Sequence, residues 1–275
     1  MSIIRETFQL NDGQQIPKLG FGTWQIPNGE VAYESTLAAL RHGYRHIDST
    51  RGYDNEESIG QAIRDSGIPR DEIYLTTKLP ADIKTYEGTL ESFAYSMAQF
   101  GEGIDYVDLY LIHAPWSWDK KGTSDHAGNL EAWRAMTKLQ ADGQIRSIGV
   151  SNFSIDDLEN ILEHSPVVPA VNQIRWFVGH TEPELSQFCA NQGILIEAYS
   201  PLATGKLLDN AKLLELAKKT KRTLPQICLR YALQKGVLPL PKSTHEAYIE
   251  ANSQLDFTLE DEDMAFLDSL DFSDI

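Results

Sequence analysis

Tyr44-Arg45-His46-Ile47-Asp48-Ser49-Thr50-Arg51-Gly52-Tyr53-Asp54-Asn55-Glu56 is the stretch on which the fold turns. A short apolar strand ends at Asp48, a loop carries Tyr53, and a helical pattern begins near Asn55. Two further strand-like runs end the same way, 73–77 on Lys78 and 106–112 on His113. Three successive strands thus deliver an acid, an amine and an imidazole to one end, with a phenol on the loop behind the first. Active sites of (β/α)8 barrels are built at the C-terminal ends of their strands. Asp48, Tyr53, Lys78 and His113 are therefore the candidate catalytic residues.

Working outward, Asp12-Gly13 between alternating apolar positions marks a hairpin over residues 6–17, placed to plug the bottom of a barrel. The strand that follows, near 18–22, runs into Gly20-Phe21-Gly22-Thr23-Trp24-Gln25, which fails the Gly-x-Gly-x-x-Gly pattern of a Rossmann phosphate loop. Further strands are expected at 145–150, 167–173, 194–199 and 237–241, and helical spacing recurs between them. Helices are expected at about 85–100, 209–219 and 224–235, with short amphipathic segments near 245–252 and 260–270. Ser154, with Asp157 three residues on, has the form of a capping box. Residues 114–128 form a long loop beyond the His113 strand, as a lid or binding loop would. Eight strands alternating with helices, with no linker or shift in composition, predict an α/β fold: a single (β/α)8 TIM barrel over residues 1–275 with an N-terminal β-hairpin and a short C-terminal tail. A doubly wound open sheet is the alternative, weakened by the missing glycine fingerprint.

Composition narrows the partners. With 24 basic and 40 acidic residues the formal charge is −16, which argues against nucleic acid or an anionic membrane. No apolar stretch approaches the roughly 20 residues of a spanning helix, and no signal-peptide pattern opens the chain. Cys189 and Cys228 lie in helical patterns and read as buried thiols of a reducing compartment. A cytoplasmic monomer is expected, with no metal site and a small molecule as its partner.

The four residues suit one chemistry. A phenol with a pKa near 10 is too weak an acid to protonate a carbonyl quickly at neutral pH. A neighbouring ammonium lowers that pKa, a carboxylate keeps the ammonium charged, and imidazole can orient the substrate oxygen. Taken singly, each residue fits a commoner role: Asp48 a turn or cap, Tyr53 a rim aromatic, Lys78 a surface lysine, His113 a structural histidine. Their convergence on consecutive strand ends favours function.

The sequence resembles the aldo-keto reductase family along almost its whole length. The resemblance rests on Gly20-Phe-Gly-Thr-Trp24, Ile47-Asp48, Tyr53-Asp-Asn-Glu56, Leu75-Thr-Thr-Lys78 and Asp105-Tyr-Val-Asp-Leu-Tyr-Leu-Ile-His113. It continues through Ile148-Gly-Val-Ser-Asn-Phe153, Val171-Asn-Gln173, Tyr199-Ser-Pro-Leu202 and Leu240-Pro-Lys-Ser243. It implies a (β/α)8 barrel with NADPH extended across the strand ends, Tyr53 as proton donor, Lys78 and Asp48 as its tuning pair, and His113 orienting substrate. Ser151, Asn152 and Gln173 match positions that hold the nicotinamide carboxamide, and Tyr199 the aromatic that stacks on the ring. Ser200, Leu202 and Lys206 would line the pyrophosphate, Lys242 and Ser243 would meet the 2′-phosphate, and Asn252 fits the adenine end. Gly22 and Thr23 complete the expected cofactor contacts.

Departures from the family pattern mark where its properties cannot be carried over. Tyr248 stands where an Arg commonly clamps the 2′-phosphate, and Ala251 where a Glu commonly holds adenine. A Tyr hydroxyl cannot replace a bidentate guanidinium. NADPH is therefore expected to remain preferred through Lys242, with weakened discrimination against NADH. Ala114-Pro115 replaces the usual Trp-Pro, and Phe177-Val178 the usual His-Pro, so substrate preference does not transfer. The short tail is similar to that of the bacterial diketogluconate-reductase-like branch and implies an open pocket bounded by Trp24, Tyr53, His113 and Trp116, with Trp118 expected to serve ordinary loop packing. The implied activity is reduction of small aldehydes, ketones or keto-sugars. The alternatives are a catalytically silent cofactor sensor on the same fold and a metal-dependent hydrolase, which Lys78 and Tyr53 fit poorly.

Overall fold

Side-chain alternation along eight short strands builds the scaffold. The computed structural model describes residues 2–272, 274 and 275. An antiparallel hairpin, β1 (Thr7–Gln9) and β2 (Gln15–Pro17), precedes the barrel strands. These are β3 (Gly20–Gly22), β4 (His46–Asp48), β5 (Tyr74–Leu79), β6 (Val107–Ile112), β7 (Ile145–Ser151), β8 (Val171–Arg175), β9 (Leu195–Tyr199) and β10 (Leu238–Leu240). They lie in sequence order, each parallel to the next. Around and between them run α1 (Glu30–Arg41), α2 (Glu56–Asp65), α3 (Tyr86–Phe100), α4 (His126–Ala141) and α5 (Ile155–His164). The second half adds α6 (Pro183–Asn191), α7 (Ala211–Thr220), α8 (Leu224–Gln234), α9 (Glu246–Ser253) and α10 (Asp261–Asp268). No helix among the described residues is long and apolar enough to cross a membrane.

The sheet closes where β3 meets β10, the Gly22 N–H donating to the Pro241 carbonyl at 3.0 Å. Glycine permits that approach: a Cβ on Gly20 would sit 2.4 Å from Leu240 Cδ2 and 2.7 Å from His46 Nδ1. Successive side chains on a strand point to opposite faces. Ile47, Leu75, Leu79, Tyr110 and Ile112 accordingly pack outward with the helices, while Leu109, Leu111, Val171, Leu238 and Leu240 form a separate inner cluster. Leu10 and Ile16 of the hairpin region join that inner cluster and close the barrel floor, as the sequence predicts. The hairpin turns on Gly13 at φ 86°, with the Asp12 carboxylate accepting from the Gln14 N–H at 3.0 Å.

Helix starts follow the capping residues. Thr85 caps α3 and Asp125 caps α4, while Ser154 with Asp157 and Thr223 with Gln226 form capping boxes on α5 and α8. Two boundaries differ from the sequence expectation by more than two residues. The sixth barrel strand begins at Val171 instead of 167, because Pro169 has no N–H for a ladder bond. The long loop after His113 is shorter than 114–128, because the Asp125 cap starts α4 at His126.

Gly20→Val should lower unfolding free energy by about 1–3 kcal/mol through overpacking at the closure, seen as an earlier denaturation midpoint at unchanged m-value.

Candidate active site

Strand register brings the polar strand ends together. Asp48 on β4 pairs with Gly22 on β3 and Thr76 on β5, and Lys78 on β5 pairs with Leu111 on β6. By alternation Asp48, Lys78 and His113 share the inward parity of His46, Thr76 and Leu111. Lys78 is completely buried, and its ammonium donates to both Asp48 oxygens at 2.7 and 2.9 Å and to the Ser49 carbonyl at 2.9 Å. Removing one partner of such a buried pair costs about 3–5 kcal/mol, because the other charge is stranded.

Tyr53 ends a short 3₁₀ turn, Arg51–Tyr53, whose Thr50 cap fixes the loop through the Gly52 N–H. Behind it, Asn55 ties the loops together, donating to the Thr23 and Ile26 carbonyls and accepting from Ser49. Lys78 Nζ lies 5.3 Å from the centre of the Tyr53 ring, and the His113 ring meets Tyr53 edge-on at 6.1 Å between centroids. The four residues picked from the sequence therefore converge.

Their electrostatics depart from expectation at one point. Burial raises the Tyr53 pKa and outweighs the opposing pull of Lys78, so the resting phenol is held protonated and is not already shifted toward phenolate. For Lys78, burial acts downward, but the Asp48 carboxylate and the Tyr53 oxygen more than offset it, and the amine stays charged. Burial, helped by Lys78 and Lys84, pushes His113 down to about 3. His113 is therefore a neutral imidazole with one N–H to offer.

A chain of amides and hydroxyls lines the adjoining strand ends. Gln173 Nε2 donates to Asp48 Oδ2 and to Glu197 Oε2, both at 2.8 Å. Ser151 Oγ donates to the Gln173 carbonyl at 2.8 Å, and Asn152 Nδ2 donates to Ser151 Oγ and the His113 carbonyl, each at 3.0 Å. The Tyr199 hydroxyl donates to Asn152 Oδ1 at 2.8 Å, fixing the half-buried ring beside them. Asn152 adopts φ 61° and Ser200 φ 50°, with Ala203 and Thr204 also left-handed on the loop after β9. Three non-glycine residues in that region on one loop mark stored backbone strain, as functional loops often carry.

Thr23 is buried, its hydroxyl on the Asp48 carbonyl at 2.9 Å, beside Gly22. Leu202 is half-buried, Lys206 and Lys242 are exposed, and Ser243 and Asn252 are buried. Tyr248 is 63% exposed, standing edge-on to His245.

At the rim, Trp24 is nearly half exposed. Trp118 does not serve ordinary loop packing: its ring stands edge-on to His113, 5.3 Å between centroids, and its backbone N–H is anchored to Asp82 Oδ1 at 2.9 Å. Trp116, expected at the pocket, is half-buried, with its indole N–H enclosed and unpaired. Arg51 packs over the Tyr95 ring at 4.0 Å and reaches the Ser92 hydroxyl. Sequence reasoning also missed Glu197 and His46, fully buried inside the barrel. Both share the inward parity of the sites found, which is the signal that could have revealed them.

His113 and His46, both pushed down to about 3, take up protons in the unfolded chain near pH 6.5 but not in the folded one. Between those values the unfolded state binds more protons, so stability falls as pH drops from about 6.5 toward 3. Denaturant titrations at pH 7 and pH 5 should show His113→Gln losing less stability over that interval than the unmodified protein.

Comparisons with known proteins extend over the same elements. The profile of the Aldo/keto reductase family matches residues 18–271. Glyoxal reductase of Bacillus subtilis (strain 168) is 41% identical over 268 residues, covering 97% of this chain and 93% of that protein. Among solved structures, an aldo/keto reductase from Brucella melitensis superposes with a TM-score of 0.90 at 43% identity, covering 96% of this chain and 99% of the other. A Bombyx mori aldo-keto reductase in complex with NADP gives 0.86 at 34% identity, covering 95% and 91%. With sequence and fold matched from the barrel's first strand to its last helix, the chain belongs to the aldo/keto reductase family of oxidoreductases.

Proposed function

We propose that this protein is an NADPH-dependent reductase of small aldehydes, ketones or keto-sugars, with Tyr53 as the proton donor. The observation that carries the reading is the fully buried Lys78 ammonium, held by Asp48 and set against the Tyr53 ring beside a neutral His113. The donor set of the mouth fits a nicotinamide dinucleotide. Amides of Asn152 and Gln173 and the Ser151 hydroxyl gather beside the Tyr199 ring, and exposed Lys206 and Lys242 stand on the loops after β9 and β10. Ser151, Asn152 and Gln173 would hold the carboxamide, Tyr199 the ring face, and Ser200, Leu202 and Lys206 the pyrophosphate. Lys242 and Ser243 would meet the 2′-phosphate and Asn252 the adenine, with Gly22 and Thr23 bordering the site.

When bound, the reduced nicotinamide supplies the hydride that adds to the carbonyl carbon. The His113 N–H donates to the carbonyl oxygen and fixes its direction. The Tyr53 hydroxyl gives its proton to that oxygen, so the C=O becomes an alcohol and Tyr53 a phenolate. Burial keeps the proton on Tyr53 until then, and Lys78 stabilises the negative charge as it appears. An interaction that grows along the reaction in this way lowers the barrier and does not merely tighten binding. Trp24 and Trp118 offer apolar walls to the carbonyl compound.

The Bacillus subtilis relative's name adds dicarbonyls to the substrates to be tried. NADPH oxidation with glyoxal, simple aldehydes and keto-sugars should show turnover that falls by about 10²–10⁴ in Tyr53→Phe, while NADPH still quenches protein fluorescence. Cofactor binding without turnover on any carbonyl would favour a sensor. Tyr248→Arg should raise the preference for NADPH over NADH by about tenfold through a charge-assisted phosphate contact, measured as the ratio of kcat/KM values.

A further inference from the structure

Glu197 is a fully buried carboxyl on β9 with no role in the reaction just described. Its Oε2 accepts from Gln173 Nε2, the same nitrogen that donates to Asp48. Its Oε1 lies 3.9 Å from His46 Nε2 and has no hydrogen-bond partner; the His46 Nε2 is engaged with Thr76 Oγ1 at 2.9 Å. The charged and titratable groups around it are Asp48 and His46 on β4 and Lys78 and Tyr74 on β5. Lys78 is the cation among them, and Asp48 already takes two of its hydrogen bonds. A second ionised carboxylate would stand uncompensated in a dry interior, a costly arrangement that a proton relieves.

We propose that Glu197 is a positioning residue, held as a neutral acid on the polar floor of the site, where it and Asp48 together orient the Gln173 amide. With the nitrogen fixed between the two acids, the carbonyl arm of Gln173 is turned away from them and left to accept from the nicotinamide carboxamide. A flipped Gln173 would set its oxygen against Asp48. The part concerning the carboxamide rests on the cofactor reading above; the proton on Glu197 does not. Burial, reinforced by Asp48, raises the Glu197 pKa to about 8, in keeping with this.

The test pairs Glu197→Leu with Glu197→Gln. Loss of the acceptor in Glu197→Leu should weaken NADPH binding by about three- to tenfold, and Glu197→Gln, whose carbonyl can accept from Gln173, should recover most of that loss. Infrared spectra of the cofactor-free protein should show a protonated-carboxyl stretch that fades as pH rises through about 8 and is missing in Glu197→Gln. Wild-type binding in Glu197→Leu would overturn the positioning role. A Glu197→Gln protein no better than Glu197→Leu, or no band assignable to Glu197, would overturn the neutral acid. An unmodified protein that binds no NADPH would overturn the cofactor reading and with it the purpose given to Gln173, while the band still decides the proton.

Discussion

A lysine ammonium sealed inside a barrel is the constraint from which the rest of the site follows. Lys78 has no exposed surface, so its charge must be met by protein oxygens, and Asp48 and Ser49 of the neighbouring strand end supply them. That demand fixes the register of β4 against β5. It also orients the Asp48 carboxylate, whose second oxygen receives Gln173 from the far side of the barrel. A bond between β8 and β4 spans the interior, so the pair to which the proposed function assigns the tuning of Tyr53 also braces the barrel wall.

Parity arranges everything else. The inward positions run apolar at the hairpin end, with Leu10, Ile16, Leu109 and Leu238. They become polar one step up with His46, Thr76 and Glu197, and end at the tips in Asp48, Lys78 and His113. Moving any strand by one residue would send its tip group to the helix-facing side and bring an aliphatic residue in. The glycines of β3 belong to the same scheme, since no side chain fits between β4 and β10 at Gly20. The outer shell of helices fixes that arrangement without entering it.

Much of this was legible in the sequence because a polar residue that ends an apolar run is conspicuous. Asp48, Lys78 and His113 each do so, and the Asp12-Gly13 turn and the Ser154 cap carry their geometry in their residue types. Glu197 and His46 were legible only through their strand parity, because a polar residue within a strand otherwise looks the same whether it faces solvent or the barrel axis. The place of Trp118 beside His113 was not legible, since the loop's course depends on a bond to Asp82, more than 30 residues away in the chain. The direction of the Tyr53 shift escaped too, because the sequence names the ammonium beside it but not the depth of burial that outweighs the ammonium. The start of the sixth barrel strand was legible in principle, had Pro169 been weighed against the apolar run around it.

The hairpin that closes the floor has a bearing on traffic. With Leu10 and Ile16 seated among the inner leucines, the site is a vessel with one mouth. On the proposed reading, cofactor and carbonyl would share that mouth, and whichever lies deeper would be covered by the other. An order of addition would then follow from the architecture.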